Sequence, residues 1–416
     1  MPNDAGVQSL QTTCCIVGGG PAGLMLGYLL ARAGVDVTVL EKHADFLRDF
    51  RGDTIHPSTL ELMRQLGDLD DFLRLPHTKF SQMTFSFKGR DVTVADFAGL
   101  PVPTPYVVMM PQWDFLDFLA NRARTYPNFR LMLQADADGL LTETGRVVGV
   151  AGQGPVGRFE VRAALTVAAD GRGSVLRDAA RMAVKEFGTP IDVLWFRVSR
   201  QDRDSKQALG RFVAGNVMVM LNRGSYWQCA HVVAKDGMAV IRAAGLPAYR
   251  TVLDRTLGLV PPRGAEIVEW DQVKLLSVKV NRLESWWREG LLFIGDAAHA
   301  MSPLGGIGIN LAIQDAVAAG NLLVGPLRRG EVSGADLAAV QARRLWPVKV
   351  TQWLQVQMQN RIFAPMLAGG PVRTPLPFRL LAAVPWLRRF PARFIGLGVR
   401  QERVSEALLR AASRES

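Results

Sequence analysis

Six residues near the amino terminus, Gly18-Gly19-Gly20-Pro21-Ala22-Gly23, follow the spacing G-x-G-x-x-G. The chemistry this spacing serves is contact between backbone and a pyrophosphate. Gly18 allows a tight turn, Gly20 puts no side chain between backbone and phosphate, and Gly23 lets a helix pack close to the preceding strand. The start of that helix carries about half a positive charge toward the phosphates. Glu41 stands 21 residues after Gly20, with Lys42 beside it. A carboxylate there accepts both hydroxyls of an adenosine ribose and repels a 2′-phosphate, so the motif reads as an NAD or FAD site rather than an NADP site. The bland alternative is a plain glycine turn. A second literal match, Gly152-Gln153-Gly154-Pro155-Val156-Gly157, is a control. It runs into the alternating Arg158-Phe159-Glu160-Val161-Arg162 with no helix behind it, and reads as a hairpin loop.

Two later motifs add to the first. Val167-Ala168-Ala169-Asp170-Gly171-Arg172-Gly173-Ser174 sets Asp-Gly at a strand end. Gly295-Asp296-Ala297-Ala298-His299 is followed by Pro303, Gly305, Gly306, Gly308 and Asn310. With these three motifs in this order, the chain resembles the single-component flavoprotein aromatic hydroxylases, the class typified by para-hydroxybenzoate hydroxylase, over roughly residues 11–340.

The resemblance implies non-covalent FAD as cofactor, NADPH or NADH as co-substrate, and O₂. It implies a flavin C4a-hydroperoxide that hydroxylates an aromatic, phenolic or polycyclic substrate. Residue by residue it carries over a cofactor set: Gly18, Gly20, Ala22, Gly23, Glu41, Lys42, Arg51, Gln112, Asp170, Gly295, Asp296, Pro303, Gly306, Gly308, Ile309 and Asn310. Asp296 resembles the aspartate at the ribityl chain. Pro303 to Asn310 resembles the loop along the isoalloxazine, whose following helix would stabilise negative charge at the ring. Arg51 and Gln112 match positions at the phosphate or ribityl chain, and Asp170 the Asp-Gly residue linked to FAD and nicotinamide binding. The chain departs from the pattern at Gly27, where alanine is usual, and at Asp53, where small residues are frequent. An FAD-dependent reductase or dehydrogenase of the same fold, acting on an isoprenoid or other apolar substrate, is the alternative. A halogenase is disfavoured because no Trp-x-Trp occurs.

The elements around these residues are those of an α/β protein. Cys14–Val17 reads as a strand, Leu24 to Ala33 as a helix ended by Gly34, and Val35 to Leu40 as a second strand. Phe80 to Ala95 alternates like antiparallel strands, and Asp192 to Arg242 is strand-like with turns at Asn222-Arg223-Gly224 and Lys235-Asp236-Gly237. Trp113 to Arg124 and Ile309 to about Val324 read as helices. The fold expected is a Rossmann-like FAD-binding domain (1–75, 105–185, 275–340), an inserted antiparallel-sheet substrate domain (76–104, 186–274) and a basic helical C-terminal region (341–416). Seven prolines between Pro347 and Pro391 predict short helices in that last region.

Composition narrows the function classes. The 416 residues are 48% hydrophobic and 21% charged, which excludes disorder, collagen and coiled coil. Three cysteines make no disulfide framework. No spanning helix and no secretory signal are expected, so the cytoplasm is the expected location. The net charge of +11 lies almost wholly in residues 341–416, with 13 basic and 3 acidic side chains. A near-neutral body argues against nucleic acid. The basic, aromatic stretch Phe378 to Arg400 suits a peripheral membrane contact or a homodimer surface in place of a monomer. No metal site is expected. The base that activates substrate is unknown: Tyr226, His231 and Arg211 are candidates, each more simply a packing or edge residue. His299 reads as structural. Trp195, Phe196, Phe212, Val217, Met218 and Met220 on the inserted sheet suit a bulky apolar substrate, though such stripes are usually core.

Overall fold

The computed structural model describes residues 7–47, 54–87, 89–204, 209–213, 215–369 and 374–411. Gln8–Val17 is the central strand of a parallel sheet. Its order is Leu291–Phe293, Gly157–Ala168, Gln8–Val17, Val37–Glu41, Phe129–Leu133. Parallel strands are covered on both faces, which is why Val37–Glu41 is buried at every position. Alternation divides the central strand. Cys14 and Ile16 face the helices Pro21–Arg32, Gln112–Arg124 and Ile307–Arg329. Cys15 and Val17 face a layer holding the antiparallel strands Asp136–Glu143 and Arg146–Gly154. The second glycine sequence forms the hairpin between Arg146–Gly154 and Gly157–Ala168, with Gly154 opposite Gly157.

A second sheet has seven strands, in the order Lys274–Leu276, Ile191–Ser199, Tyr226–Ala234, Asn216–Asn222, Leu209–Val213, Gln82–Phe87, Arg90–Asp96. Two distant stretches of chain meet in it through the parallel pairing of Leu209–Val213 with Gln82–Phe87. The sheet's two faces have different neighbours. Trp195, Phe212 and Val217 share a cluster with Leu304, Phe363, Met366 and Phe378. Phe196, Met218 and Met220 pack on the helix Leu246–Leu257.

Three elements differ from expectation. The strand-like reading to Arg242 overruns, because after Lys235-Asp236-Gly237 the chain turns into the helix Met238–Ala244. The helix expected from Ile309 to Val324 runs over Ile307–Arg329. The segment Leu304–Arg329 is long and apolar enough to cross a membrane, but 83% of its most apolar window is buried inside the protein. It is a core helix, and its apolarity is explained by contact on all sides. In the C-terminal region the helices Leu376–Ala383, Arg389–Leu397 and Glu406–Ala411 are short as expected, and only its first helix departs. Gly334–Met358 is a 25-residue helix that runs through Pro347. Proline removes one amide donor, and the helix survives because its buried side chains anchor it on both sides of the interruption. Arg344, Val348, Thr351, Gln352 and Gln355 are all buried, and Thr351 Oγ1 donates to the Pro347 carbonyl at 2.8 Å.

Candidate functional site

The parallel strands end on one edge, and the three motifs meet there. The chain leaves Gln8–Val17 at Val17 and enters the helix Pro21–Arg32 with Gly20 as its capping residue. A Cβ on Gly18 would run into the Ala169 carbonyl, and one on Gly23 into the Gly18 carbonyl. A Cβ on Gly20 would meet nothing within 4 Å. The turn is therefore packed on its inner side and open on its outer side, as close approach of a pyrophosphate to backbone requires. No side-chain cap satisfies the helix start, so its backbone donors remain for an anion.

Glu41 ends its strand as a buried carboxylate. Gly19 N donates to Oε2 and His43 N to Oε1, each at 3.0 Å. These two backbone bonds fix the carboxylate beside the glycine turn. Lys42 is exposed.

Asp170 and Asp296 lie at the ends of neighbouring strands. Leu176 N donates to Asp170 Oδ2 at 3.3 Å, while Oδ1 is buried without a partner. Burial pushes the Asp170 carboxyl up, against the pull of Ser174 and backbone N–H groups of the helix that follows. Arg172 Nε donates to Asp296 Oδ2 at 2.8 Å and Arg172 Nη2 to the Met301 carbonyl at 3.2 Å. Its Nη1 is buried and unpaired. Gly295, at φ +60°, is wedged between Ala22 and Ala312, which brings this motif against the nucleotide turn. The orphaned carboxylate and guanidinium atoms, the open face of Gly20 and the held Glu41 fit an FAD. Together they offer a backbone cradle for phosphates and polar groups for a ribose and a ribityl chain.

The glycine turn Pro303-Leu304-Gly305-Gly306 has left-handed backbone at Gly305 and Gly306 and leads into Ile307–Arg329. Gly306 lies against Thr54, whose Oγ1 donates to its carbonyl at 3.3 Å. The Asn310 side chain is fully engaged by protein. Its Oδ1 accepts from His56 N at 2.9 Å and Thr59 Oγ1 at 2.8 Å, and its Nδ2 donates to the carbonyls of Thr54 and Gly306. The Asn310 side chain is thus a staple between the turn and residues 54–59. Ile309 has its side chain in the main core, so only its backbone can face the turn. Gly308 is close to Met301. Gln112 opens its helix half-buried. Arg51 and Asp53 lie outside the described residues.

His299 is buried with its Nε2 2.5 Å from Asp315 Oδ2, and Arg344 Nε donates to Asp315 Oδ1 at 2.8 Å. Burial works to raise the Asp315 carboxyl, yet His299 and Arg344 together hold it below the usual range. Arg344 also reaches Glu402. Sequence reading missed this network, because Asp315, Arg344 and Glu402 are far apart in the chain. The spacing of Gln352, Gln355 and Gln359 was a legible signal that also went unread. All three are buried against residues 281–304.

The candidate bases are placed as follows. His231 is buried on the sheet face away from Leu304, between Tyr249 Oη at 3.3 Å and Asn216 Oδ1 at 3.0 Å. Burial lowers it to about 4. Arg211 lies against Gly258 at the end of the helix Leu246–Leu257. Tyr226 is half-buried at a strand end. None of the three is brought to the glycine turn. No group of three or more metal-ligating side chains occurs among the described residues. An open cleft of about 310 Å³ lies along the helix Gln112–Arg124, lined by Asp114, Asp117 and Arg122 among others, and none of the site residues above lines it.

Comparison with known proteins agrees with the geometry. Residues 11–353 match the family model described as "FAD binding domain". The chain is 34% identical over 377 residues to 6-methylpretetramide 4-monooxygenase of Streptomyces rimosus, covering 87% of this chain and 86% of that protein. It is 26% identical to protoasukamycin 4-monooxygenase of Streptomyces nodosus subsp. asukaensis, over 91% of this chain and 97% of that one. Among solved structures, p-nitrophenol 4-monooxygenase of Pseudomonas putida superposes with a TM-score of 0.75 at 21% identity, over 95% of this chain and all of that one.

Proposed function

The chain belongs to the FAD-binding-domain family and is an FAD-dependent monooxygenase; from that premise we propose that it hydroxylates a polycyclic aromatic substrate bearing a phenol, with NADPH or NADH and O₂. The observation that carries the substrate class is the 34% identity, over 87% of this chain, to a monooxygenase named for 6-methylpretetramide; the sheet face at the glycine turn supports it. Trp195, Phe212, Phe85, Phe87, Phe363 and Phe378 share one apolar cluster there with Leu304. The rings of Phe87, Phe212, Phe363 and Phe378 are buried against one another, and the wall they make keeps water from the turn. The buried, unpartnered Trp195 Nε1 offers a hydrogen bond to a ring oxygen at the same face.

The chain's own residues divide the work. Gly18 to Gly23 and the start of Pro21–Arg32 would hold the pyrophosphate of FAD. Glu41 would hold the adenosine ribose, and Asp296, kept in place by Arg172, the ribityl chain. Backbone N–H groups of the turn Pro303–Gly308 would meet the ring. When bound, FAD supplies the redox chemistry that takes electrons from NAD(P)H and passes one oxygen atom of O₂ to the substrate. The protein's task is to hold the ring near the flavin and keep water out. Asp170, whose carboxyl burial raises, is one of the titratable groups at this edge.

The basic C-terminal region supports a peripheral membrane contact. Leu376, Leu380, Trp386 and Phe390 are all about half exposed or more, and Arg389 lies over the rings of Trp386 and Phe390. The same face would serve a homodimer if it finds a second copy instead. The buried thiols of Cys14, Cys15 and Cys229 fit a cytoplasmic protein.

The test is turnover of FAD-loaded protein with NADPH or NADH under ¹⁸O₂, with 6-methylpretetramide and p-nitrophenol offered side by side. Incorporation of one labelled atom into the larger compound and not into p-nitrophenol is the expected result. Turnover restricted to p-nitrophenol removes the polycyclic assignment. NAD(P)H consumption with substrate reduction and no label favours the reductase.

A further inference from the structure

The helix Gly334–Met358 does not end in a cap. It continues through a π turn, Gln359–Phe363, into Ala364–Leu367. A π turn inserts one residue into the helical repeat, and such insertions are kept where a side chain must be re-aimed. Gln352, Gln355 and Gln359 lie on one face at intervals of three and four, all buried, and all bond residues 281–304. Gln352 Nε2 donates to the carbonyls of Ala300 at 3.0 Å and Asn281 at 2.8 Å, and its Oε1 accepts from Arg282 Nη1 at 2.6 Å. Gln355 Oε1 accepts from Ser302 N at 3.2 Å, while its Nε2 donates to the carbonyls of Ser302 at 3.1 Å and Leu304 at 3.2 Å. Gln359 Nε2 donates to Ser302 Oγ at 2.6 Å. Residues 301–304 belong to no strand, so Gln355 satisfies the Ser302 amide and the Ser302 and Leu304 carbonyls that burial would otherwise leave costly.

Ser302 immediately precedes Pro303, which opens the glycine turn. One helical step beyond Gln359, Phe363 enters the apolar cluster of the second sheet, and Met366 follows it. The same short segment therefore touches both the turn assigned to the flavin and the face assigned to the substrate.

We propose that Gln355 and Gln359 are positioning residues for the flavin ring, acting through Ser302, and that the π turn couples them to the substrate face through Phe363. A ring pressing on Phe363 displaces Gln359, and with it Ser302 and the turn behind it. This rests on the reading of Pro303–Gly308 as the flavin loop.

The experiment uses FAD-loaded full chain and needs no substrate. FAD affinity, the visible flavin absorption and the flavin midpoint potential are measured for wild type, Ser302→Ala, Gln359→Leu and the pair. Each single change is expected to weaken FAD about tenfold, the worth of one hydrogen bond, and to shift the flavin band and potential. The pair is expected to be no worse than Ser302→Ala alone, because that change removes the Gln359 bond together with the bond that Ser302 Oγ accepts from Leu304 N at 3.4 Å. Phe363→Leu is expected to shift the flavin band in wild type and not in Gln359→Leu. Additive effects, or a lowered Tm with unaltered flavin band, potential and affinity, overturn the positioning role. If Gln359→Leu does not fold, Ser302→Ala alone still decides it. A wild-type chain that binds no FAD removes the flavin-loop reading as well, whereas a wild type that binds FAD beside unaffected variants removes only the positioning.

Discussion

At the scale of single residues, two glycines of one motif do different work. Gly23 is held against the Gly18 carbonyl, and Gly20 faces open space. Gly23→Ala is expected to destabilise the fold by about 1–3 kcal/mol through that collision, read as a lower denaturation midpoint. Gly20→Val is expected to cost about 1 kcal/mol through the loss of a good capping residue and to weaken FAD by more than a hundredfold, read by flavin fluorescence. The reverse pattern would place the cofactor elsewhere. Two buried histidines set an acid limit. Burial lowers both His56 and His231 to about 4, and His56 Nδ1 donates to the Ile395 carbonyl at 2.7 Å. Their folded values lie below the ordinary histidine value of roughly 6.5, so the unfolded chain binds more protons between these limits. The stability they contribute is complete above about pH 6.5 and is lost as pH falls toward 4. Each is expected to cost on the order of 3 kcal/mol over that window. His231→Gln should flatten part of the slope in pH-dependent denaturation.

At the scale of elements, the core helix Ile307–Arg329 is joined to Gly334–Met358 by the buried pair of Asp315 and Arg344, both 0% exposed. Removing Arg344 takes a guanidinium from two buried carboxylates at once, leaving Asp315 only His299 and the Gly295 N–H. Arg344→Leu is expected to cost about 3–5 kcal/mol, whereas Arg64→Ala, at the surface pair with Glu61, is expected to cost under about 1 kcal/mol. Chemical denaturation of both variants checks this. The comparison also explains why the C-terminal region is not the separate tail that its composition suggested. Arg343 and Arg344 are paired with Glu402 and Asp315 inside the protein, so part of the basic excess is structural. The glutamine face and the π turn tie the same region to the glycine loop.

At the scale of the whole molecule, two sheets are set so that the end of one and a face of the other meet at Leu304. The redox site and the substrate face are then built by different parts of the chain. The remaining exposed basic surface is expected to act separately from both. Full-length protein should sediment with phosphatidylglycerol vesicles and not with phosphatidylcholine, and should release in about 0.5 M salt. Arg389→Glu with Arg393→Glu should abolish sedimentation without altering FAD content. Sedimentation unchanged by these substitutions would leave the face to a second copy of the chain, read as a doubled mass.

The nucleotide end of this protein is legible from the chain alone. Gly18, Gly20, Gly23 and Glu41 are close in the chain, and their spacing is dictated by one strand, one turn and one helix, whose geometry is local. The alternation of Trp195 with Phe196 announced a two-faced sheet for the same reason. Which face meets the glycine turn is set by long-range folding, because it depends on how Gln82–Phe87 joins Leu209–Val213 across more than a hundred residues. Long-range folding also makes Asn310 a staple, since its partners lie about 250 positions away. It carries the Gly334–Met358 helix through Pro347 as well. Local propensity argues against a helix there, and burial of Arg344, Val348 and Gln352 outweighs the one lost backbone bond.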